Sequence, residues 1–164
     1  ASSYIPTTTV AVPRNADVLT YPFAGNASAS VGTAYAELST FWSAASGGTR
    51  CAISFSVVEA MNCGSGNAPT VIRASDGTNT VTASSLSNMS TGARKRAISW
   101  GSGLLAGGDG IAPTSGSFDG DIGSSGIAIG CQQSGGINQW FGTIRNVRIY
   151  QTQLSAAQLQ AVTA

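Results

Sequence analysis

A chain of 164 residues that contains no histidine has few routes to acid–base or nucleophilic chemistry. The commonest general base near neutral pH is missing, and with it the Ser-His-Asp and Cys-His nucleophile arrangements. His-based zinc sites are likewise excluded, and Cys51, Cys63 and Cys131 are too few to complete a tetrahedral structural site. Retaining hydrolysis of a glycosidic bond needs two carboxyls about 5 Å apart. Glu37 and Glu59 stand alone in the sequence, so the chain reads as non-enzymatic. Asp119-Gly120-Asp121, with Asp109 nearby, is the main acidic concentration. Hard cations take clustered carboxylate and carbonyl oxygens, so calcium is the metal these three aspartates could ligate. Asp-Gly pairs are also routine turn formers, and both readings stay open.

Binding offers more scope than catalysis. A sugar site wants an aromatic plane for the apolar face of a pyranose and short polar or acidic groups for its hydroxyls. Trp42, Trp100, Trp140 and Tyr35 are candidates for the plane. Trp42 and Trp100 each end a strand-like run with apolar neighbours on the same face, which predicts that they fill a core. Trp140 follows the turn-like Gly135-Gly136-Ile137-Asn138-Gln139, which predicts a loop-mounted contact residue. Trp140, Asn138, Gln139, Tyr35 and Glu37 are therefore the candidate ligand-binding residues.

Composition limits what can carry these residues. Only 9% of the chain is charged and the net charge is +1, whereas about a quarter is usual. Gly, Ala, Ser and Thr, at 21, 24, 23 and 16, make up just over half of it. Long exposed helices are disfavoured by this mixture, and disorder by the 42% apolar content. A net charge of +1 supports neither a salt-sensitive nucleic-acid grip nor a trap for acidic ligands. The basic run Arg94-Lys95-Arg96 reads as a solvated strand edge rather than a nucleic-acid contact. No stretch of about eighteen apolar residues is present to span a membrane. The length fits one domain with a real core. Absence of an initiator Met and of a signal peptide suggests a fragment or processed product. The odd number of cysteines leaves at least one unpaired. A Cys51–Cys63 bridge would close a short loop, but the simplest reading is three small buried hydrophobes in a protein made in a reducing cytoplasm.

The elements that would position the candidates are short strands. Residues 1–13, with Pro6 and Pro13, read as an extended lead-in from a preceding segment, and 14–164 as one sandwich domain. In 51–58, Cys51, Ile53, Phe55 and Val57 alternate with small or polar residues, which predicts one buried face. Ala36, Leu38 and Trp42 share a face of 34–42, opposite Tyr35, Glu37 and Ser39. Further strands are expected at 17–23, 69–75, 79–84, 95–100, 126–130 and 141–150. Turns are expected at 46–48, 64–67, 76–77, 107–110 and 134–136. In 141–150, Ile144 is out of parity with Val147 and Ile149, so either both faces are covered or a bulge shifts the register. Gly101-Ser-Gly103-Leu-Leu-Ala106 matches a dinucleotide fingerprint formally, yet nothing after it looks like the required helix, and a Gly-rich hairpin is expected. Ser155-Ala156-Ala157-Gln158 is a capping box with Leu154 and Leu159 placed as a hydrophobic staple, which predicts one short turn of helix. Many short strands at this spacing indicate an all-β antiparallel sandwich.

Trp140-Phe-Gly-Thr-Ile-Arg-Asn-Val-Arg-Ile-Tyr150, continuing as Gln151-Thr-Gln-Leu-Ser-Ala-Ala-Gln-Leu159, resembles the closing strand and terminal helix of the concanavalin A-like lectin/glucanase superfamily, which includes laminin-G-like modules. Arg96-Ala-Ile-Ser-Trp100 with Gly-Ser-Gly-Leu-Leu and Asp109-Gly110 is similar to its central hairpin. Ser3-Tyr4-Ile5-Pro6-Thr7, Arg14-Asn-Ala-Asp-Val18 and Gly32-Thr-Ala-Tyr-Ala-Glu37 resemble the junction and first strands of such modules in bacteriophage virion proteins. The resemblance implies a two-sheet jelly roll with one short C-terminal helix, in a lectin-like module of a tail fibre or related appendage. It implies calcium at a rim in some members. The expected partners are bacterial cell-surface polysaccharide and other virion subunits, in a homotrimer, with neither nucleic acid nor membrane insertion. The expected location is an exposed virion appendage made in the bacterial host cytoplasm. Departure from the family's Glu-x-Asp-x-x-Glu catalytic strand argues for a non-catalytic carbohydrate- or receptor-binding module. The alternative is a purely structural head decoration or fibre knob.

Overall fold

The computed structural model describes residues 19–41, 49–63, 69–132 and 138–164. The lead-in 1–13, the motifs at 3–7 and 14–18, Trp42 and the turns at 46–48, 64–67 and 134–136 lie outside the described residues. The chain is an all-β sandwich of two antiparallel sheets. A six-stranded sheet takes β1 (Leu19–Tyr21), β10 (Ile127–Ile129), β3 (Arg50–Ser54), β4 (Glu59–Cys63), β5 (Ile72–Asp76) and β6 (Thr80–Ala83), in that order. A five-stranded sheet takes β11 (Ile144–Tyr150), β2 (Gly32–Leu38), β7 (Arg94–Trp100), β8 (Leu104–Gly108) and β9 (Thr114–Gly116). One helix, α1 (Ala156–Thr163), closes the chain.

Period-two patterning decides which face of each strand is buried. Ile53, Met61, Ala74 and Val81 lie side by side across β3 to β6 and face the five-stranded sheet. Ala34, Ala36 and Leu38 of β2, with Ile98 and Trp100 of β7, face them from the other side. Trp100 is fully buried, as its neighbours predict. Its ring lies 5.2 Å from that of Phe55, and its indole N–H donates to the Ser28 carbonyl at 3.0 Å.

Three expectations change. The run 51–58 is not one strand, because β3 stops at Ser54. Ser56 Oγ accepts the N–H groups of Val58 and Glu59, and Phe55 N–H donates to the Glu59 carbonyl, so the chain turns back into β4. Val57 is consequently 49% exposed at the turn rather than buried. A register shift between Cys51 and Ile53 puts Cys51 on the other side from Ile53. Arg94-Lys95-Arg96 is not a solvated edge either, since β7 is a central strand. Arg96 is 0% exposed and forms a 2.6 Å ion pair with Asp109. The Arg96 guanidinium also donates to the carbonyls of Lys95 and Ser87. Gly107 and Gly108, expected in a turn, belong to β8. A Cβ on Gly108 would stand 2.6 Å from the Lys95 carbonyl and 2.7 Å from Arg96 Nη1, so the strand passes the ion pair only as glycine.

The parity break in β11 is a bulge: its register with β2 shifts between Arg145 and Arg148, and Asn146 adopts φ +51°. Gly101–Gly103 is the turn of the β7–β8 hairpin, not a phosphate loop. α1 begins with the complete capping box of Ser155 and Gln158, and at eight residues is longer than one turn. Leu154 and Leu159 join Tyr35 and Ala97 in a second apolar cluster on the outer face of the five-stranded sheet. The hydroxyls of Thr33 and Ser99 on that face accept the Leu154 N–H and donate to the carbonyls of Thr152 and Leu154. They fasten the last segment before the helix.

Candidate functional site

The structure separates the five expected ligand-binding residues. Tyr35 and Glu37 lie together on the outer face of the five-stranded sheet, next to the β11 bulge. Glu37 accepts hydrogen bonds from Asn146 Nδ2 and Arg145 Nε, each at 2.9 Å, and from the Tyr35 hydroxyl at 3.4 Å. The Asn146 bond, aided by Arg145, holds the Glu37 carboxyl below its usual range. Tyr35 cannot serve as a sugar platform. It is 7% exposed, with the Arg148 guanidinium 5.7 Å above its ring, and burial followed by the nearby Glu37 charge raises its hydroxyl pKa.

Trp140 also departs from expectation. It is 8% exposed and belongs to the inter-sheet core, with its indole N–H donating to the Ser39 carbonyl at 2.9 Å. Its backbone N–H bonds the Gly130 carbonyl. These two bonds turn the ring inward, whereas a loop expectation has it pointing out.

The three aspartates do not converge. Asp109 Oδ2 accepts the N–H of Ser87 at 2.6 Å, and the adjacent Leu86 N–H bonds the Thr70 carbonyl just before β5. Asp119 N–H instead donates to Asp76 Oδ2, at the far end of β5. The five residues of β5, about 16 Å at 3.3 Å each, separate the two places. Asp109 therefore serves Arg96 rather than an acidic rim. At the rim, Asp76 is saturated by the N–H groups of Asn79, Thr78 and Asp119 and the Asn79 side chain. Burial opposes its ionisation, but these bonds outweigh burial and keep its carboxyl below the usual range. Glu59 alongside is shifted the other way, by burial first and then by Asp121, Asp119 and Asp76. Asp119 and Asp121 each accept an N–H two residues on, the side-chain turn that Asp-Gly sequences make. Among the described residues no three His, Cys, Asp or Glu are arranged to hold a metal ion.

Asn138 does line a cleft. It lies in a groove of about 300 Å³ on the outer face of the six-stranded sheet. The floor is built by register. Cys51, Asn62, Arg73 and Thr82 are successive cross-strand neighbours, as are Ala60, Ser75 and Thr80 in the next outward row. Exposed Val57 and Val58 form the wall at the β3–β4 turn, and Gln132 and Asn138, joined at 2.5 Å, contribute to the other side. Asn138 holds φ +54°, and its carbonyl accepts the Cys51 N–H. Gln139 is partly buried beside it. Cys51 beneath is buried and free, as is Cys131, and burial pushes the Cys51 thiol up to about 12. The side chains of Asn62 and Arg73 hydrogen-bond to no described residue, and Arg73 Nε is buried without an acceptor.

A larger cleft of about 740 Å³ runs between β8, β9 and the start of α1. Apart from Ser115 and Ser117, its polar side chains are engaged internally: Gln153 binds Ser102 and the Gly103 carbonyl, and Ser155 and Gln158 cap the helix. Donors without protein partners are what a ligand can use, which favours the smaller groove. Sequence reasoning missed Asn62, Arg73, Ser75, Thr80 and Gln132. The signal for Arg73 was its place as the sole charge in the expected strand 69–75. Asn62 had none, because Glu-Ala-Met-Asn-Cys has too little apolar alternation to read as a strand. Comparison with protein-family models and with curated proteins finds no match for this chain.

Proposed function

We propose that this sandwich is a non-catalytic carbohydrate- or receptor-binding module that holds saccharide in the groove on the outer face of its six-stranded sheet. The observation that carries this reading is the pairing of Asn62 and Arg73 on the groove floor, where neither side chain hydrogen-bonds to a described residue. Ser75, Thr80, Gln132 and Asn138 add hydroxyl and amide groups suited to sugar hydroxyls, and Val57 and Val58 supply the apolar surface that Trp100 and Trp140 do not. Glu37 and Glu59 lie on different sheets, in keeping with binding rather than hydrolysis. A small polar groove gives weak binding per site, which repetition on an appendage multiplies. Placement on a bacteriophage tail fibre facing bacterial surface glycan rests on the motif resemblance. An array of purified bacterial surface polysaccharides tests the reading: saturable binding at millimolar sugar or below is expected, and absence of binding across the array refutes it.

A second reading, a structural virion domain that packs against copies of itself, is favoured by one observation. Phe41 and Phe141, 82% and 51% exposed, are joined by a 3.0 Å bond from Phe41 N–H to the Phe141 carbonyl. Sedimentation of the domain separates the two. A trimer that Phe41→Ser dissociates supports self-association through this tip, and a concentration-independent monomer removes it.

A further inference from the structure

We propose that the saccharide taken by this groove is acidic, a uronic-acid-bearing chain whose carboxylate is received by Arg73; this rests on the carbohydrate-binding reading above. Arg73 is half-buried on the floor, and its guanidinium has no ion pair or hydrogen bond with any described residue. A partly desolvated guanidinium without an acceptor carries a cost that folding alone does not recover. The other described residues lining the groove include no carboxylate, so a ligand carboxylate would meet no competing counter-charge there. A planar carboxylate matches the guanidinium fork with two parallel hydrogen bonds.

The surroundings also give the ligand a direction. Asn62 lies directly opposite Arg73 across β4 and β5, placing an amide donor and acceptor beside the anion for an adjacent hydroxyl. Asp76 and Glu59, cross-strand neighbours of each other, share the parity of Ala74 and Met61 and so belong to the opposite face from Arg73. An acidic sugar is thus held at Arg73, with its neutral neighbour toward Val57 and Val58. The low net charge of the chain does not oppose this, since a guanidinium acts on a ligand within a Debye length of about 8 Å.

The test measures binding of the whole chain to a panel of uronic-acid-bearing bacterial polysaccharides, each paired with its carboxyl-reduced form, and to phosphate-bearing polysaccharides. The expected result is about tenfold tighter binding of the uronic form, about 1.4 kcal/mol. Arg73→Gln should abolish that preference, so that acidic and reduced forms then bind equally, and Arg73→Lys should retain part of it. Equal binding of acidic and reduced forms by the unaltered chain overturns the proposal while leaving carbohydrate binding intact. No binding of any polysaccharide overturns both. Tighter binding of the phosphate-bearing chains, or displacement of uronate by inorganic phosphate, overturns the carboxylate assignment in favour of phosphate. The wild-type comparison needs no variant, so the proposal stays refutable even if Arg73→Gln fails to fold.

Discussion

Replacing Asp109 with Asn should destabilise the fold through a residue the substitution does not touch. Arg96 is 0% exposed in the middle of the five-stranded sheet, and Asp109 is its ion-pair partner at 2.6 Å. Removing one member of a buried pair typically costs about 3–5 kcal/mol, because the surviving charge stays desolvated. The Asp109 side chain is 13% exposed, so water reaches its side of the pair, and the lower end, about 3 kcal/mol, applies. The carbonyls of Lys95 and Ser87 remain as acceptors for Arg96, which also keeps the loss from the upper end. For a chain of this length about 1 kcal/mol moves Tm by about 2–4 °C, giving a fall of about 6–12 °C. Urea unfolding followed by circular dichroism measures the free energy directly. The double variant Arg96→Met, Asp109→Asn should lose less than the two single losses added, since no charge is then left inside and Asn keeps the φ of +56° at position 109. A loss under about 1 kcal/mol at unchanged m-value would refute the buried-pair argument. So would a double variant whose loss equals the sum of the single ones.

Trp140→Phe should lose about 1–2 kcal/mol from the indole bond to the Ser39 carbonyl while saccharide binding is unchanged; lost binding at full stability would restore Trp140 as a contact residue. Glu37 contributes stability in an acid-sensitive way. Its folded pKa is depressed below 4.5, so the contribution is complete above that value and is lost as pH falls through the lower folded pKa. Glu37→Gln should therefore flatten the Tm-against-pH curve below pH 4.5, and an unchanged slope would show that the Asn146 and Arg145 bonds do not hold in solution. Because burial lifts the Cys51 thiol to about 12, iodoacetamide at pH 8 should label Cys51 only upon unfolding, as peptide mapping would reveal. Labelling in the folded protein would contradict the closed floor of the groove.

Local pattern carried the architecture where strand periodicity and caps coincide. The β2 face of Ala36 and Leu38, the parity break in β11 and the Ser155 capping box were all legible, because each depends on residues within a few positions of one another. Where a tertiary contact overrode local pattern, reading failed. Val57 has the right parity for the core, yet Ser56 captures two backbone N–H groups and turns the chain first. Arg96 sits among charges, yet Asp109, just past the end of the neighbouring strand, takes it inside.

The candidate site was legible only as scattered members. Asn138 could be named from its turn and Glu37 from its chemistry, but Arg73 and Asn62 become neighbours through the register of β4 and β5, set by the buried faces of four strands. The sequence by itself determined that the chain has no histidine-based chemistry, low charge, hydroxyl-rich strands and a capped terminal helix, because composition and short-range hydrogen bonding need no fold to be read. Only the tertiary structure decided that Trp140 points inward, that Asp109 and Asp119 lie at opposite ends of β5, and that the Arg73 guanidinium on an open sheet face has no hydrogen bond or ion pair among the described residues. These are outcomes of which strands pair and in what register, and strand pairing joins residues that are far apart along the chain.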